Sequence, residues 1–282
     1  MTTLDRFESL FRSAAKEQHE FEEYTITRAA LVTDGDDESA RGIIAEIERV
    51  FARLAGVEWT VLSAGAYGDP SELMARIQEA SPDLLCSYRN LHTRAKEWPY
   101  SLGSYLDVMA QVTPMPVLVL PQPTLGGVFD PPLGKVDDVL VVTDHISGSG
   151  ELVNVAARMV SPGGKLVLAH IEDDATFDRY ARIMSMVPGI DTEPTVAALK
   201  ERLLREARDY IESCSEALEG SPVGEVIEDV RMGHRVSDVR AMLDEHEVDL
   251  VVFSVKDDAQ LAMHGLAYPL AIELRDVPVL MV

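Results

Sequence analysis

Two stretches of this chain follow one plan, and that repetition limits the fold more than any other feature. The first runs Leu102-Gly103-Ser104-Tyr105-Leu106-Asp107-Val108-Met109 and then Thr113-Pro114-Met115-Pro116-Val117-Leu118-Val119-Leu120. The second runs Gly265-Leu266-Ala267-Tyr268 and then Asp276-Val277-Pro278-Val279-Leu280-Met281-Val282. Each is a glycine, a short amphipathic helix, a proline and an apolar strand, and glycine and proline lie 13 residues apart in both. The match continues upstream. Gly68-Asp69-Pro70 leads through a helical pattern to Asp83-Leu84-Leu85-Cys86, and Gly233-His234-Arg235 leads through another to Asp249-Leu250-Val251-Val252. Each half also has an early strand pattern ending in Thr-Asp, at Thr33-Asp34 and at Thr143-Asp144. Repetition on this scale is an internal duplication. Apolar strands alternating with amphipathic helices predict an α/β protein: two Rossmann-like domains, mainly parallel sheets with helices on both faces.

The copies differ in length. Asp34 to Gly68 spans 34 residues, whereas Asp144 to Gly233 spans 89. The shorter interval fits a helix near 38–55 and a strand near 57–62. The longer one fits a helix near 150–160, a strand over 165–170 and a long helix near 194–219. The first copy therefore lacks a helix and a strand. The boundaries drawn on this basis are 1–120 for the shortened copy, 121–135 for a Pro/Gly-rich linker and 136–282 for the full-length copy. Residues 4–18 read as an amphipathic helix with Leu4, Phe7, Leu10 and Phe11 on one face, expected to cover sheet left bare by the shortening.

Charge narrows the partners. With 25 basic and 48 acidic residues the formal net charge is -23, which disfavours nucleic acid and anionic membrane surfaces. No apolar run approaches the ~18 residues that span a bilayer. The opening Met1-Thr2-Thr3-Leu4-Asp5-Arg6 has no basic leader character, so a cytoplasmic location is expected. The two cysteines, Cys86 and Cys214, lie in strand or helix patterns and read as reduced core thiols. The seven histidines show no HExxH-type spacing, so no metal site is assigned. No nucleophile-elbow serine and no Walker-type loop is present, and nothing in the sequence points to catalysis.

The ordered motifs carry a family resemblance. Each half resembles a universal stress protein domain, on the strand closing in Val-Thr-Asp, the Gly68-Asp69-Pro70 turn, the Asp-Leu-Leu or Asp-Leu-Val run and the closing Gly–helix–Pro-Val-Leu. The whole chain is similar to a tandem universal stress protein, over about residues 29 to 282 outside the linker. The resemblance implies strand order 3-2-1-4-5 in a full domain, dimer-like pairing of the two copies, and a site that in many members binds ATP or AMP. Such sites use Gly-x-x-Gly, a spacer, then Gly-Ser or Gly-Thr, with an Asp at the end of the first strand. Glycines let backbone N–H groups approach phosphate, and a helix N-terminus adds partial positive charge.

This sequence departs from that pattern. The first two glycine positions fall near Tyr88 and Leu91 in the first half, and near Ser254 and Asp257 in the second. Gly103 and Gly265 persist, and Ser104 persists while its counterpart is Leu266. Asp257 and Asp258 would repel a phosphate. In the first half Arg89, His92 or Arg94 would have to replace the missing amides. Arg89 and Arg94 read equally as partners of nearby carboxylates. Asp34 and Asp144 read either as nucleoside contacts or as helix caps. The tentative nucleotide-binding set is thus Asp34, Arg89, His92, Gly103, Ser104, Asp144 and Gly265. The expected function is a regulatory or protein-interaction module with a degenerate nucleotide cleft, engaging a protein partner or itself. The alternative is a stress sensor with ATP or AMP as its ligand.

Overall fold

The computed structural model describes residues 19–92, 101–124, 126–143, 150–189, 191–255 and 267–282. The expected helix over 4–18 lies outside them. The first half contains β1 (Arg28–Val32), α1 (Asp37–Val50), β2 (Glu58–Leu62), α2 (Pro70–Ala80), β3 (Leu84–Tyr88), α3 (Ser104–Val112) and β4 (Val117–Leu120). The second contains β5 (Asp138–Thr143), α4 (Gly150–Met159), β6 (Lys165–Asp173), α5 (Asp174–Ser185) and α6 (Thr192–Ala217). It continues with β7 (Glu225–Gly233), α7 (Arg235–Glu245), β8 (Leu250–Phe253), α8 (Ala267–Glu273) and β9 (Val279–Met281).

Local chemistry explains the elements. Asp36 caps α1 by accepting the Ser39 N–H at 2.9 Å, and Ala40, Ile43, Ile47 and Val50 form its buried stripe. Asp69 caps α2 by accepting Glu72 N at 2.9 Å, and Glu72 returns a carboxylate to Gly68 N at 2.7 Å, with Pro70 in the first turn. The runs β3, β4, β8 and β9 are buried at every residue, as strands covered on both faces must be.

All strands belong to one nine-stranded sheet in the order β2-β1-β3-β4-β9-β8-β5-β6-β7. Every neighbouring pair is parallel except β4 and β9, which run antiparallel with Val117 opposite Met281, Leu118 opposite Leu280 and Val119 opposite Val279. The repeated closing motifs are therefore the seam. Left as edges, these apolar strands would expose unpaired backbone groups, and pairing them with each other removes both liabilities. Where two sheets were expected, the structure has one. Counted outward from the seam the order is β4-β3-β1-β2 on one side and β9-β8-β5-β6-β7 on the other.

Two repeated aspartates do the same job. The Asp83 carboxylate accepts Thr27 N at 2.9 Å, Arg28 N at 2.9 Å and the Thr27 hydroxyl at 2.8 Å, pinning the start of β1. Asp249 accepts Asp137 N at 3.1 Å and Asp138 N at 3.0 Å, pinning the start of β5. The segment before β1 crosses between halves: His19 N donates to Ser213 Oγ on α6 at 3.3 Å, and the Tyr24 hydroxyl donates to Asp83 O at 3.1 Å. Helix α5 was not anticipated from the sequence, although Phe177, Tyr180, Ala181, Ile183 and Met184 fall on one side of it, opposite Asp174, Asp178 and Arg182.

Candidate functional site

In an open parallel sheet, ligands gather beyond the carboxyl ends of the strands where the order reverses. In the first half that point lies between β1 and β3. Asp34 follows β1, and Tyr88 ends β3. The Tyr88 hydroxyl donates its proton to Asp34 Oδ1 in a short contact and accepts Asp34 N at 3.1 Å. Its one proton being used, it accepts from the Thr33 hydroxyl at 2.8 Å, whose oxygen in turn accepts Gly35 N at 2.9 Å. The other Asp34 oxygen accepts His92 N at 2.9 Å. Both carboxylate oxygens are thus bound within the chain. His92 reaches this point through backbone at φ 57, in the left-handed region, as does Asn90 at φ 61.

Three rings close the space in front. Tyr67 donates to Thr33 O at 3.2 Å, and His92 Nε2 lies 2.8 Å from the Tyr67 hydroxyl, which assigns the proton of a neutral ring to Nε2. The Tyr67 and His92 rings meet edge-on at 5.3 Å, and Tyr105 of α3 tilts against His92 at 4.6 Å and Tyr67 at 5.7 Å. Burial pushes the Tyr67 phenol well above its ordinary range, with the Asp34 charge adding to it. Burial and the hydrogen bond to Asp34 push Tyr88 up to about 12. Both phenols are neutral donors at physiological pH.

What remains open beside Asp34 is acidic. A cleft of about 550 Å³ is lined by Asp34, Asp36, Asp37 and Glu38, with Gly35 and Ser63 to Gly65 opposite. Four carboxylates there repel a phosphate chain.

The remaining expected residues divide. Gly103 precedes α3 at φ 90, a conformation that favours glycine, and accepts Asp107 N at 3.0 Å; Ser104 opens α3 and is exposed. Asp34 does not cap α1; Asp36 does. Arg89 is not brought to Asp34. Its side chain is buried, and its two terminal nitrogens donate across the seam to Ala271 O and Leu274 O at the C-terminal end of α8. A guanidinium there satisfies carbonyls that a helix end leaves open. The reading of Arg89 as a phosphate ligand, or as a carboxylate partner, is corrected to a helix cap. Asp144 and Gly265 lie outside the described residues, as do Arg94, Asp257 and Asp258. Tyr67, Tyr88 and Tyr105 were missed as site residues. The available signal was a tyrosine standing where the resemblance calls for glycine.

Two further features are not part of this cleft. A cavity of about 500 Å³ lies at the seam, between Phe129 to Gly134 and Ile272 to Pro278, with a mixed lining of Arg275, Asp130, Asp249 and Asp276. Asp229, Glu245 and His246 place ligand atoms within 4.8 Å of one another, but Arg231 already donates to both Asp229 oxygens and to Glu245, at 2.8 Å in the latter case. Among the described residues no helix is long and apolar enough to cross a membrane.

Comparison with known proteins agrees with this architecture. No protein-family model matches the sequence, and no curated protein matches it. A universal stress protein structure from Archaeoglobus fulgidus superposes with a TM-score of 0.53 at 13% identity, covering 92% of this chain and 97% of that one. A functionally unknown protein from Pseudomonas aeruginosa PAO1 gives 0.53 at 12% identity, covering 92% and 93%. At such identities the likeness concerns the fold: a mainly parallel α/β sheet of the kind found in universal stress proteins, matched along nearly the full chain.

Proposed function

We propose that this chain is a tandem universal-stress-type protein with a shortened first copy, residues 1–120, joined through 121–135 to a full copy at 136–282. We further propose that it acts as a regulatory or protein-interaction module rather than as a nucleotide sensor. The strand order supports the first statement, since β4-β3-β1-β2 repeats β9-β8-β5-β6 and stops one strand short. One observation carries the second: both oxygens of Asp34, the residue that would hold a nucleoside, are bound by Tyr88 and by His92 N. The acidic cleft beside it adds repulsion for a phosphate chain.

Calorimetric titration with ATP, ADP and AMP tests this reading. The expected result is no heat of binding at millimolar ligand. Saturable binding that weakens in Asp34→Ala would overturn it and favour a sensor. Arg89→Ala is unsuited as a binding control, because Arg89 supports α8.

A further inference from the structure

The cavity at the seam differs from the acidic cleft in holding charges of both signs at separate places. Continuing the strand registers just past their ends sets Arg89 beside Pro121, Pro121 beside Val277 and Val277 beside Asp249. All four line the cavity of about 500 Å³, a size that suits a small organic ligand. At about 4.8 Å per strand, three spacings put about 14 Å between the Arg89 and Asp249 backbones. Phe129 and Leu133 of the linker, with Val248, are buried in the wall and make it apolar between these ends.

One end carries a cation short of a counter-charge. Arg89 is 6% exposed and donates to the carbonyls of Ala271 and Leu274, while its Nε has no hydrogen-bond partner. Among the described residues no carboxylate is ion-paired with it. Carbonyls are neutral, so the charge stays uncompensated where burial makes that costly. Arg275, also in the lining, adds a second positive charge close by, and Asp276 offsets part of it. The other end carries a carboxylate. Asp249 Oδ2 accepts the N–H groups of Asp137 and Asp138, and Oδ1 lies 3.7 Å from where a side chain at Gly134 would begin, both residues lining the cavity. Asp130 is exposed at the linker. Among the described residues the lining thus holds two arginines and three aspartates, which match a ligand bearing both signs of charge. A phosphate chain would meet the aspartates, and a simple amine would meet the arginines.

We propose that the seam cavity binds a short zwitterionic peptide of two or three residues, its amino end toward Asp249 and its carboxylate toward Arg89 and Arg275. An extended peptide covers about 3.3–3.6 Å per residue, so two or three residues span about 7–11 Å, and the Arg89 and Asp249 side chains make up the rest of the row. Its apolar side chains lie on Phe129, Leu133 and Val248. The site goes beyond the interaction-module reading and is separate from the Asp34 cleft, with which it shares no lining residue.

Calorimetric titration of the full chain with the tripeptide Leu-Ala-Leu tests this, beside its N-acetylated and C-amidated forms, free leucine and inorganic phosphate. The free peptide is expected to bind saturably, and each blocked form at least about tenfold more weakly. Asp249→Asn should weaken the free peptide about tenfold and leave the N-acetylated form unchanged, a split that misfolding cannot produce. Gly134→Phe fills the cavity without altering its charge, from a Cβ position that makes only ordinary contact, and should abolish binding of every form. No binding of the free peptide, equal binding of the blocked forms, or free leucine binding as tightly as the peptide would overturn the proposal. So would phosphate that displaces the peptide, or either variant binding like the parent. Nucleotide calorimetry reads the Asp34 cleft and not this cavity, so the two readings fail separately.

Discussion

Asp83 and Asp249 occupy equivalent places yet sit in opposite electrostatic settings, which makes them a matched pair for substitution. Burial alone would raise the Asp83 carboxyl, but the Arg28 and Thr27 N–H groups and the Thr27 hydroxyl hold it below its usual range. Burial raises the Asp249 carboxyl despite its two N–H partners, and the carboxylates of Asp138 and Asp137 add to the rise. Asparagine keeps an acceptor oxygen and removes only the charge. Hydrogen bonds to charged groups contribute about 1.5–3 kcal/mol against about 0.5–1.5 for neutral ones, so each loses about 1 kcal/mol. Two backbone bonds and one hydroxyl bond, discounted for partial exposure, put Asp83→Asn at about 2 kcal/mol, or about 3–4 °C in Tm for a chain of this length. Asp249→Asn should fall within about 0.5 kcal/mol of zero, or stabilise, because the lost charge was unfavourable. The pH dependences oppose each other. A lowered folded-state pKa gives Asp83 a contribution that is present above the unfolded carboxyl pKa of about 3.9 and lost as pH falls through the folded one. The raised pKa of Asp249 gives stability present below that unfolded value and lost as pH rises through the folded one. Thermal unfolding followed by circular dichroism at neutral pH and near pH 4 reads Asp249, and a third measurement below about pH 3 reads the loss at Asp83. Equal losses for the two variants at neutral pH would refute the reasoning.

Arg89→Met should cost about 2–4 kcal/mol by leaving Ala271 O and Leu274 O without their donor, measured by chemical unfolding. A variant as stable as the parent would remove the capping role. Burial raises the Cys86 thiol far above its ordinary value and Cys214 to about 11. Neither should react with a thiol reagent near pH 8 in the folded chain, and both should react in denaturant; prompt labelling of either would contradict its burial.

Much of the frame is legible because its constraints are local. Gly103 must accept φ 90, Asp69-Pro70 starts α2, and Val117 to Leu120 can only be a buried strand. These signals survive in one dimension, so the repeat and the α/β class follow from spacing. The seam between β4 and β9 was not legible, since nothing in either strand names its partner. Helix α5 was legible in principle, because its apolar residues recur on one side, although the expected elements passed from the strand over 165–170 directly to the long helix near 194–219. The site was legible only in outline. Asp34 and His92 do meet, but the contacts that define the cleft join Asp34 to Tyr88 and Tyr67 to His92, 54 and 25 residues apart. Arg89 looked like an anion ligand from its loop and proved a helix cap, because its partners lie 182 and 185 residues away.

The magnitude of closure decides between the two readings of the cleft. For a nucleoside to use Asp34, the carboxylate must release the Tyr88 hydroxyl and His92 N, and the His92 ring must leave Tyr67 and Tyr105. The two hydrogen bonds to the Asp34 carboxylate contribute about 1.5–3 kcal/mol each, the His92–Tyr67 bond about 0.5–1.5, and each ring pair about 0.5–1.5 beyond its area. Opening therefore costs at least about 4–5 kcal/mol, a factor of about 10³ or more in apparent affinity. A site of intrinsically micromolar affinity would then bind in the millimolar range, before the repulsion from Asp36, Asp37 and Glu38 is added. The triple variant Tyr67→Ala, Tyr88→Phe, His92→Ala removes the Tyr67 and His92 rings and the Tyr67 and Tyr88 hydroxyls, while leaving Asp34, Tyr105 and the backbone N–H at position 92 in place. If closure is what excludes the nucleotide, that variant should acquire measurable AMP binding before ATP binding, since AMP brings less charge to the acidic mouth. A variant as silent as the parent would show that the missing glycines, not the rings, disabled the site.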